Sequence, residues 1–377
     1  MLMPRGRFLG ALAGFALGLR LAPQAARAAV SAVKSTVRVR IFAALDVRRL
    51  AVNGITIDVA SASVTDGGDA RPFGDSVMEF TGDPWLNVTA TSASGAVTRS
   101  YPGALYAALR KGELLAVNVV DIESYVASVM SAEVSPSWAT EALRAQAIAV
   151  RTYAAHAGLA NASKEYDVRD DTSSQVYPGI ASVAPSLIAG AQDTRGQILQ
   201  FAGAPATVLY SSSCGGHTAA SEELTGQPGP SYLGGVTDTD ASGKAYCAIA
   251  PYFRWTNTVA VDAMARVIGV PPDALSSVQI TQRWPDGRVK VVTAAGSIVS
   301  VTLSGRDFYQ RSLALLGYKV VPSALFDIER MGSDFTLTGH GVGHGVGMCQ
   351  WGARGRAQAG MNAAQILQAY FPGTQLL

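Results

Sequence analysis

Three stretches of this chain combine residue types that could do chemistry. The first holds a single carboxylate. Glu133 falls at the C-terminal end of a predicted helix, just before Ser135 and Pro136. The negative end of a helix dipole disfavours a carboxylate there. Burial against Val129, Met130 and Trp138 would disfavour it further. Both effects raise its pKa and keep a proton available near neutral pH, as a general acid requires. The plainer alternative is a solvated helix-end glutamate.

The second stretch is GHGVGHGVGMCQWGA, residues 339–353. Its glycines alternate so densely that no helix is expected, and the backbone must approach something closely or adopt positive φ. No Gly-Lys-Ser/Thr follows, so it is not a phosphate loop. Val346 stands where a dinucleotide fingerprint needs its third glycine. His340 and His344 are either exposed side chains of a tight structural loop or groups facing a ligand. The third stretch, DVRDDTSSQVYPG at residues 167–179, is polar and turn-rich with an aromatic near its end. Tyr and Gln in such a loop can offer a sugar a stacking face and amide hydrogen bonds. An ordinary surface loop is the alternative.

Two predicted helices flank Glu133. DIESYVASVMSAE places Tyr125 with Val129, and Val126 with Met130, four apart, behind Asp121 as N-cap. EALRAQAIAVRTYAAHA aligns Leu143, Ala147, Val150 and Ala154 on one stripe, with Thr140 as the expected cap. So many alanines predict a closely packed, central buried helix. Upstream, residues 29–110 read as β-rich: Val37, Val39 and Ile41 alternate with Arg38 and Arg40, and clusters such as TDGGDARPFGD mark turns. Downstream, short strands and loops are expected. GQILQFAGAPATVLYSSS reads as two strands about a Gly-Ala-Pro turn. VDAMARVI is a helix closed by Gly269. SVQITQRWPDGRVKVVTAAG is a hairpin through Pro285-Asp286-Gly287. A strand and helix follow in VSVTLSGRDFYQRSLALLG, and AAQILQAYF makes a last helix after Gly360. The expected class is α+β: a β-rich N-terminal part, central buried helices, and mixed strands with a Gly/His-rich loop forming a cleft.

Of 377 residues, 48% are apolar and 15% charged, a balance that excludes a disordered chain. Residues 1–28 have the layout of a secretory signal peptide. Arg5 and Arg7 precede an apolar stretch at residues 8–19, and Ala26-Arg27-Ala28 supplies the A-x-A site. That stretch falls short of the about 20 residues that span a bilayer. A retained N-terminal anchor is the alternative. Cleavage removes Arg5, Arg7, Arg20 and Arg27, taking the formal net charge of +2 four units down to −2. A mildly acidic protein has no electrostatic footprint for nucleic acid. No later segment is apolar enough to span a membrane. The protein is therefore expected in the periplasm or cell-wall space.

Export changes how the cysteines read. Cys214 and Cys247 could form a disulfide and leave Cys349 over. Alternatively, Cys214 and His217, three residues apart, could bind zinc if His340 and His344 completed the set.

Several blocks then fall in a distinctive order. They are Asp121-Ile122-Glu123-Ser124-Tyr125, Ala132-Glu133, EALRAQAIAVRTYA, Asp171-Thr172 with Gln175-Val176-Tyr177-Pro178-Gly179, YSSSCGGHT, GHGVGMCQWGA and ILQAYFPGTQL. The sequence resembles the stage II sporulation protein D family (the SpoIID/LytB domain family), most strongly from residue 117 onward. The resemblance implies a lytic transglycosylase that cuts the MurNAc–GlcNAc bond of peptidoglycan and leaves a 1,6-anhydro end. It puts the catalytic acid at Glu133, with Gln175, Tyr177, His340, His344 and Gln350 binding substrate and Arg151 in a structural role. No cofactor is required by that chemistry, although a metal is associated with some relatives near the SSCGG segment. Residues 111–377 would form the catalytic domain, with an accessory lobe at 255–334. Some relatives are described as enhancers of a peptidoglycan amidase, so a non-catalytic glycan-binding partner of an amidase is the competing expectation. A zinc amidase built on Cys214, His217, His340 and His344 is a third. Two departures from the family pattern stand out: Val134-Ser135 separate Glu133 from Pro136, and Cys349 stands where many relatives carry Ser.

Overall fold

A computed structural model describes residues 34–377, apart from residues 75, 182 and 297–299. The expected signal segment lies outside the described residues. The alternating N-terminal pattern forms two sheets. A six-stranded antiparallel meander runs, in spatial order, Asp69–Pro72, Ser63–Asp66, Ile55–Asp58, Arg49–Val52, Leu86–Ser92 and Gly95–Tyr101. A five-stranded sheet runs, in spatial order, Val168–Arg169, Thr36–Arg40, Glu113–Asp121, Ala104–Arg110 and Val77–Thr81. In the register Val37↔Val120 and Val39↔Asn118, the apolar side of Thr36–Arg40 faces the core.

Eight α-helices lie among the described residues: α1 Ile122–Glu133, α2 Thr140–Ala160, α3 Pro185–Asp193, α4 Ser221–Thr225, α5 Val261–Ile268, α6 Gly305–Leu316, α7 Gln350–Gln358 and α8 Ala363–Tyr370. Asp121 caps α1, accepting from the N–H groups of Glu123 and Ser124 at 3.0 and 3.2 Å. Thr140 is not a cap. It is the first residue of α2, behind Ala139, whose methyl offers no acceptor. Helix α2 is the central one. Leu143, Ala147, Val150 and Ala154 face α1 and the sheets, and Ala145, Ile148 and Ala149 face a second core that includes α7 and α8. Alanine on both faces lets helices approach on two sides at once. Arg151 is fully buried on α2, ion-paired with Glu123 and donating to the carbonyls of Ala191 and Gln197 at 2.8 and 3.1 Å. It fixes the turn after α3, a structural role.

Three further expectations need correction. Helix α3 occupies part of what reads as strands and loops after Asn161. The turn after Phe201 is Ala202-Gly203, and the strand beyond it shrinks to Ala204–Pro205. The Gly-rich stretch does contain helix, because α7 starts at Gln350 and runs through Gly352 and Gly355. Tertiary packing overrides their low propensity: a Cβ on Gly352 would strike Asp238 and Tyr370.

A third apolar core, from Trp255 to Leu337, lies between α5, α6 and two three-stranded sheets. The hairpin Ser277–Arg283/Val289–Ala295 belongs to it. Among the described residues no helix is long and apolar enough to cross a membrane.

Candidate active site

A cleft of about 410 Å³ opens where these parts meet. One wall is the end of α1 and the turn after it, with Glu133, Ser135 and Trp138. A second is the loop carrying Thr172, Ser174 and Gln175. The third is built from residues 208–213, the Gly-rich loop and the first turn of α7. Two short strands join that third wall: Tyr210–Ser211 pairs in parallel with Met348–Cys349. Gly341, Gly343, Gly345 and Gly347 all have φ between 74° and 103°, conformations costly for any side chain. Their zigzag brings His344 to the cleft. Arg288, from the third core, donates to the carbonyls of Cys214 and His217 at 2.7 and 3.0 Å and braces the loop from behind.

Glu133 is half-buried at the end of α1. Burial pushes its pKa up to about 7, and a hydrogen bond from Gln350 pulls part of the way back. Gln350 Nε2 donates to Glu133 Oε2 at 3.1 Å. Glu133 is the only carboxylate among the described residues that line the cleft.

Gln175 lines the cleft, but both ends of its amide are engaged. Its Oε1 accepts from the Tyr125 hydroxyl at 2.9 Å, and its Nε2 donates to the Tyr210 hydroxyl at 2.8 Å. The loop that carries it is pinned by Asp170, which accepts from the N–H of Phe42 at 2.6 Å and pairs with Arg99 at 2.8 Å. His344 also lines the cleft. Its Nε2 lies 3.0 Å from the Tyr210 carbonyl and therefore donates, while Nδ1 accepts from the Val346 N–H at 3.1 Å. Burial lowers its pKa to about 4, so the ring is a neutral positioning group at physiological pH.

Two expected cleft residues lie elsewhere. Tyr177 is fully buried between Tyr101 and Tyr125, at ring distances of 5.7 and 5.2 Å, and its hydroxyl donates to Asn118 Oδ1 at 2.8 Å. A ring with its one polar atom satisfied gains more from the core than from a wet cleft. His340 ends the strand Asp334–His340 and packs edge-on against Phe253, outside the cleft lining. The histidine-based metal set is not assembled either. His217 Nδ1 sits 2.8 Å from the Thr218 carbonyl, and the one cluster of metal-ligating groups among the described residues holds no histidine. Cys214 and Cys247 face each other unbonded at 3.7 Å, so no disulfide joins them.

Sequence reasoning missed an aromatic wall. Trp138 and Trp351 pack at 5.2 Å, and the Arg354 guanidinium lies 5.6 and 4.9 Å from their ring centres. All three line the cleft. Trp351 and Arg354 are three apart on α7, a spacing that signals a shared face only once α7 is known to be helical. Tyr153 and Tyr210 line the floor, and burial pushes both phenols above their usual range, keeping them neutral donors.

A half-buried acid, hydroxyl and amide groups, and two inclined indoles beneath the Arg354 guanidinium suit a polar polymer with flat faces. Comparison with known proteins places the chain among relatives. The family model "SpoIID: Stage II sporulation protein" matches residues 110–201. An uncharacterized protein of Brachyspira hyodysenteriae is 34% identical over 279 residues, 74% of this chain and 72% of its own length. Stage II sporulation protein D of Bacillus subtilis is 29% identical over 276 residues, 69% of this chain and 75% of its own. The amidase enhancer of Bacillus subtilis is 29% identical over 66% of this chain, which spans 39% of that relative's length. The chain belongs to the SpoIID family.

Proposed function

We propose that the protein is a peptidoglycan lytic transglycosylase, with Glu133 as its single acid and base. The observation that carries this reading is the one carboxylate that lines the cleft among the described residues, with a pKa near 7 and a hydrogen bond from Gln350. Hydrolytic glycosidases generally need two carboxyl groups flanking the scissile bond, one of which handles water or forms the covalent bond. A reaction in which the sugar's own C6 hydroxyl attacks C1 needs only one. Protonated Glu133 gives its proton to the glycosidic oxygen as the C1–O bond breaks. The resulting carboxylate takes the proton of the C6 hydroxyl as that oxygen bonds to C1, and the acid is restored. The Gln350 amide favours the anion between these steps. Trp138 and Trp351 supply a surface for sugar faces, and the neutral phenols of Tyr153 and Tyr210 are hydrogen-bonding groups beside the cationic transition state.

The reading is tested by incubating purified protein with glycan strands stripped of stem peptides and assaying the products by mass spectrometry. New 1,6-anhydro ends are expected from the native chain and not from Glu133→Gln. A second reading, a glycan-binding enhancer of an amidase, draws on the similarity to the Bacillus subtilis amidase enhancer. It predicts strand binding with no new ends, and stimulation of an added amidase that survives Glu133→Gln. An exported location in the periplasm or wall space fits both readings.

A further inference from the structure

Behind the Gly-rich wall, and outside the cleft, four side chains from distant parts of the chain converge. Cys214, Asp238, Cys247 and Cys349 are each fully buried, and one ligand atom from each lies within 4.8 Å of the others. Cys214 Sγ is 3.7 Å from Cys247 Sγ and 3.2 Å from Asp238 Oδ2. A tetrahedral zinc ion with Zn–S bonds of about 2.3 Å holds its sulfurs about 3.8 Å apart, whereas a disulfide needs about 2.05 Å. The spacing suits the ion.

The surroundings are arranged for thiolates. Cys349 Sγ accepts from the backbone N–H of Cys214 at 3.1 Å and of Gly352 at 3.3 Å, the latter in the first turn of α7. Cys214 Sγ accepts from the Gly216 N–H at 3.4 Å. Amide donors and a helix N-terminus stabilise a charged sulfur far more than a neutral one. Asp238 is held from its other side. Its Oδ1 accepts from Arg356 Nε at 3.0 Å and from the Tyr370 hydroxyl at 2.8 Å, which presents Oδ2 to the sulfurs. That is the outer-shell support ligating carboxylates commonly have. Arg356 also offsets the excess negative charge of three thiolates and a carboxylate around a dication.

We propose that Cys214, Cys247, Cys349 and Asp238 form a closed, four-ligand site for a zinc-class divalent cation. With all four positions filled by protein, the ion is structural. It ties the segment after the strand Tyr210–Ser211 to the start of α7. Cys349 directly precedes Gln350, so the ion sets the angle at which Gln350 meets Glu133. Three thiol protons pass to solvent as the metal enters.

The test uses the full chain purified without chelator. Elemental analysis is expected to give about one zinc per chain, and the denatured mass that of a fully reduced polypeptide. Exchange with cobalt(II) is expected to produce the near-ultraviolet thiolate charge-transfer band and the visible bands of a tetrahedral site. Cys349→Ser should lose most of the bound metal, and Glu133→Gln should keep all of it, which separates this site from the glycan chemistry. Should the cysteine variant fail to fold, the cobalt spectrum of the native chain still decides. A chain two hydrogens lighter and free of metal, or one with three reduced thiols and no cobalt uptake, overturns the proposal.

Discussion

Gln350 Nε2 reaches Glu133 Oε2 at 3.1 Å across 217 residues of sequence. The carboxyl comes from the end of α1 and the amide from the start of α7, so neither half of the chain makes the pair alone. The same contact tunes the acid: burial raises its pKa, and the amide limits the rise.

The pH dependence of the reaction follows. In the proposed reaction Glu133 must carry its proton to begin the cycle, and burial pushes its pKa up to about 7. kcat/KM on stem-free strands is expected to be flat below that value and to fall tenfold per pH unit above it. An alkaline limb set near 4.5 instead would mean that the acid is solvated in the working enzyme.

Stability should depend on the same group with a defined sign. The folded pKa lies above the unfolded one, so the protonated side chain is tolerated without cost at low pH. Stability is then lost as pH rises from about 4.5 through about 7. Glu133→Gln removes that loss. At pH 8 the variant should be more stable than the native chain by on the order of 2 kcal/mol, discounted for partial exposure, and equal to it at pH 4. Denaturant unfolding at the two pH values measures the difference.

Gln350→Ala takes away the donor that favours the anion. The alkaline limb of kcat/KM should move to higher pH and kcat should fall about tenfold, a loss of ~1.4 kcal/mol of barrier lowering. Gln350→Glu places a second carboxyl against the first and should move the limb further in the same direction. A pH profile unchanged in both variants would show that the hydrogen bond plays no part in turnover.

Tyr177 and Trp351 should respond in opposite ways. Tyr177→Phe leaves buried Asn118 Oδ1 without its donor, which should cost about 1–2 kcal/mol of stability and leave glycan binding unchanged. Trp351→Ala opens the aromatic wall and should weaken glycan binding about tenfold, ~1.4 kcal/mol. Co-sedimentation with stem-free strands and thermal unfolding, run on both variants, separate the two roles.

Signals in the sequence are legible where local physics decides. The Asp121 cap and the apolar spacing behind it set α1, and Pro136 lies just beyond its end, so neighbouring residues alone put Glu133 at a helix terminus. Its raised pKa follows from burial. Long-range packing hides the rest. Gly352 and Gly355 argue against a helix, yet they sit in α7 because the helix packs so closely on Asp238, Tyr370 and Tyr246 that no Cβ fits there. Without α7, neither the Trp351–Arg354 face nor its partner Trp138 can be recognised. Tyr177 carries the same side chain as a sugar-stacking residue, and only its neighbours Tyr101 and Tyr125 assign it to the core. The cysteines suggest a disulfide or a histidine-assisted metal site because nothing in the sequence marks Asp238 as their neighbour.

The parallel pairing of Tyr210–Ser211 with Met348–Cys349 makes the cleft wall depend on two segments far apart in sequence. The segments up to Ser211 hold the acid, whereas the Gln350 amide, the Trp351 indole and the Gly-rich loop all come from beyond residue 338. A chain clipped before residue 348 therefore keeps the Glu133 carboxyl but not the groove that surrounds it.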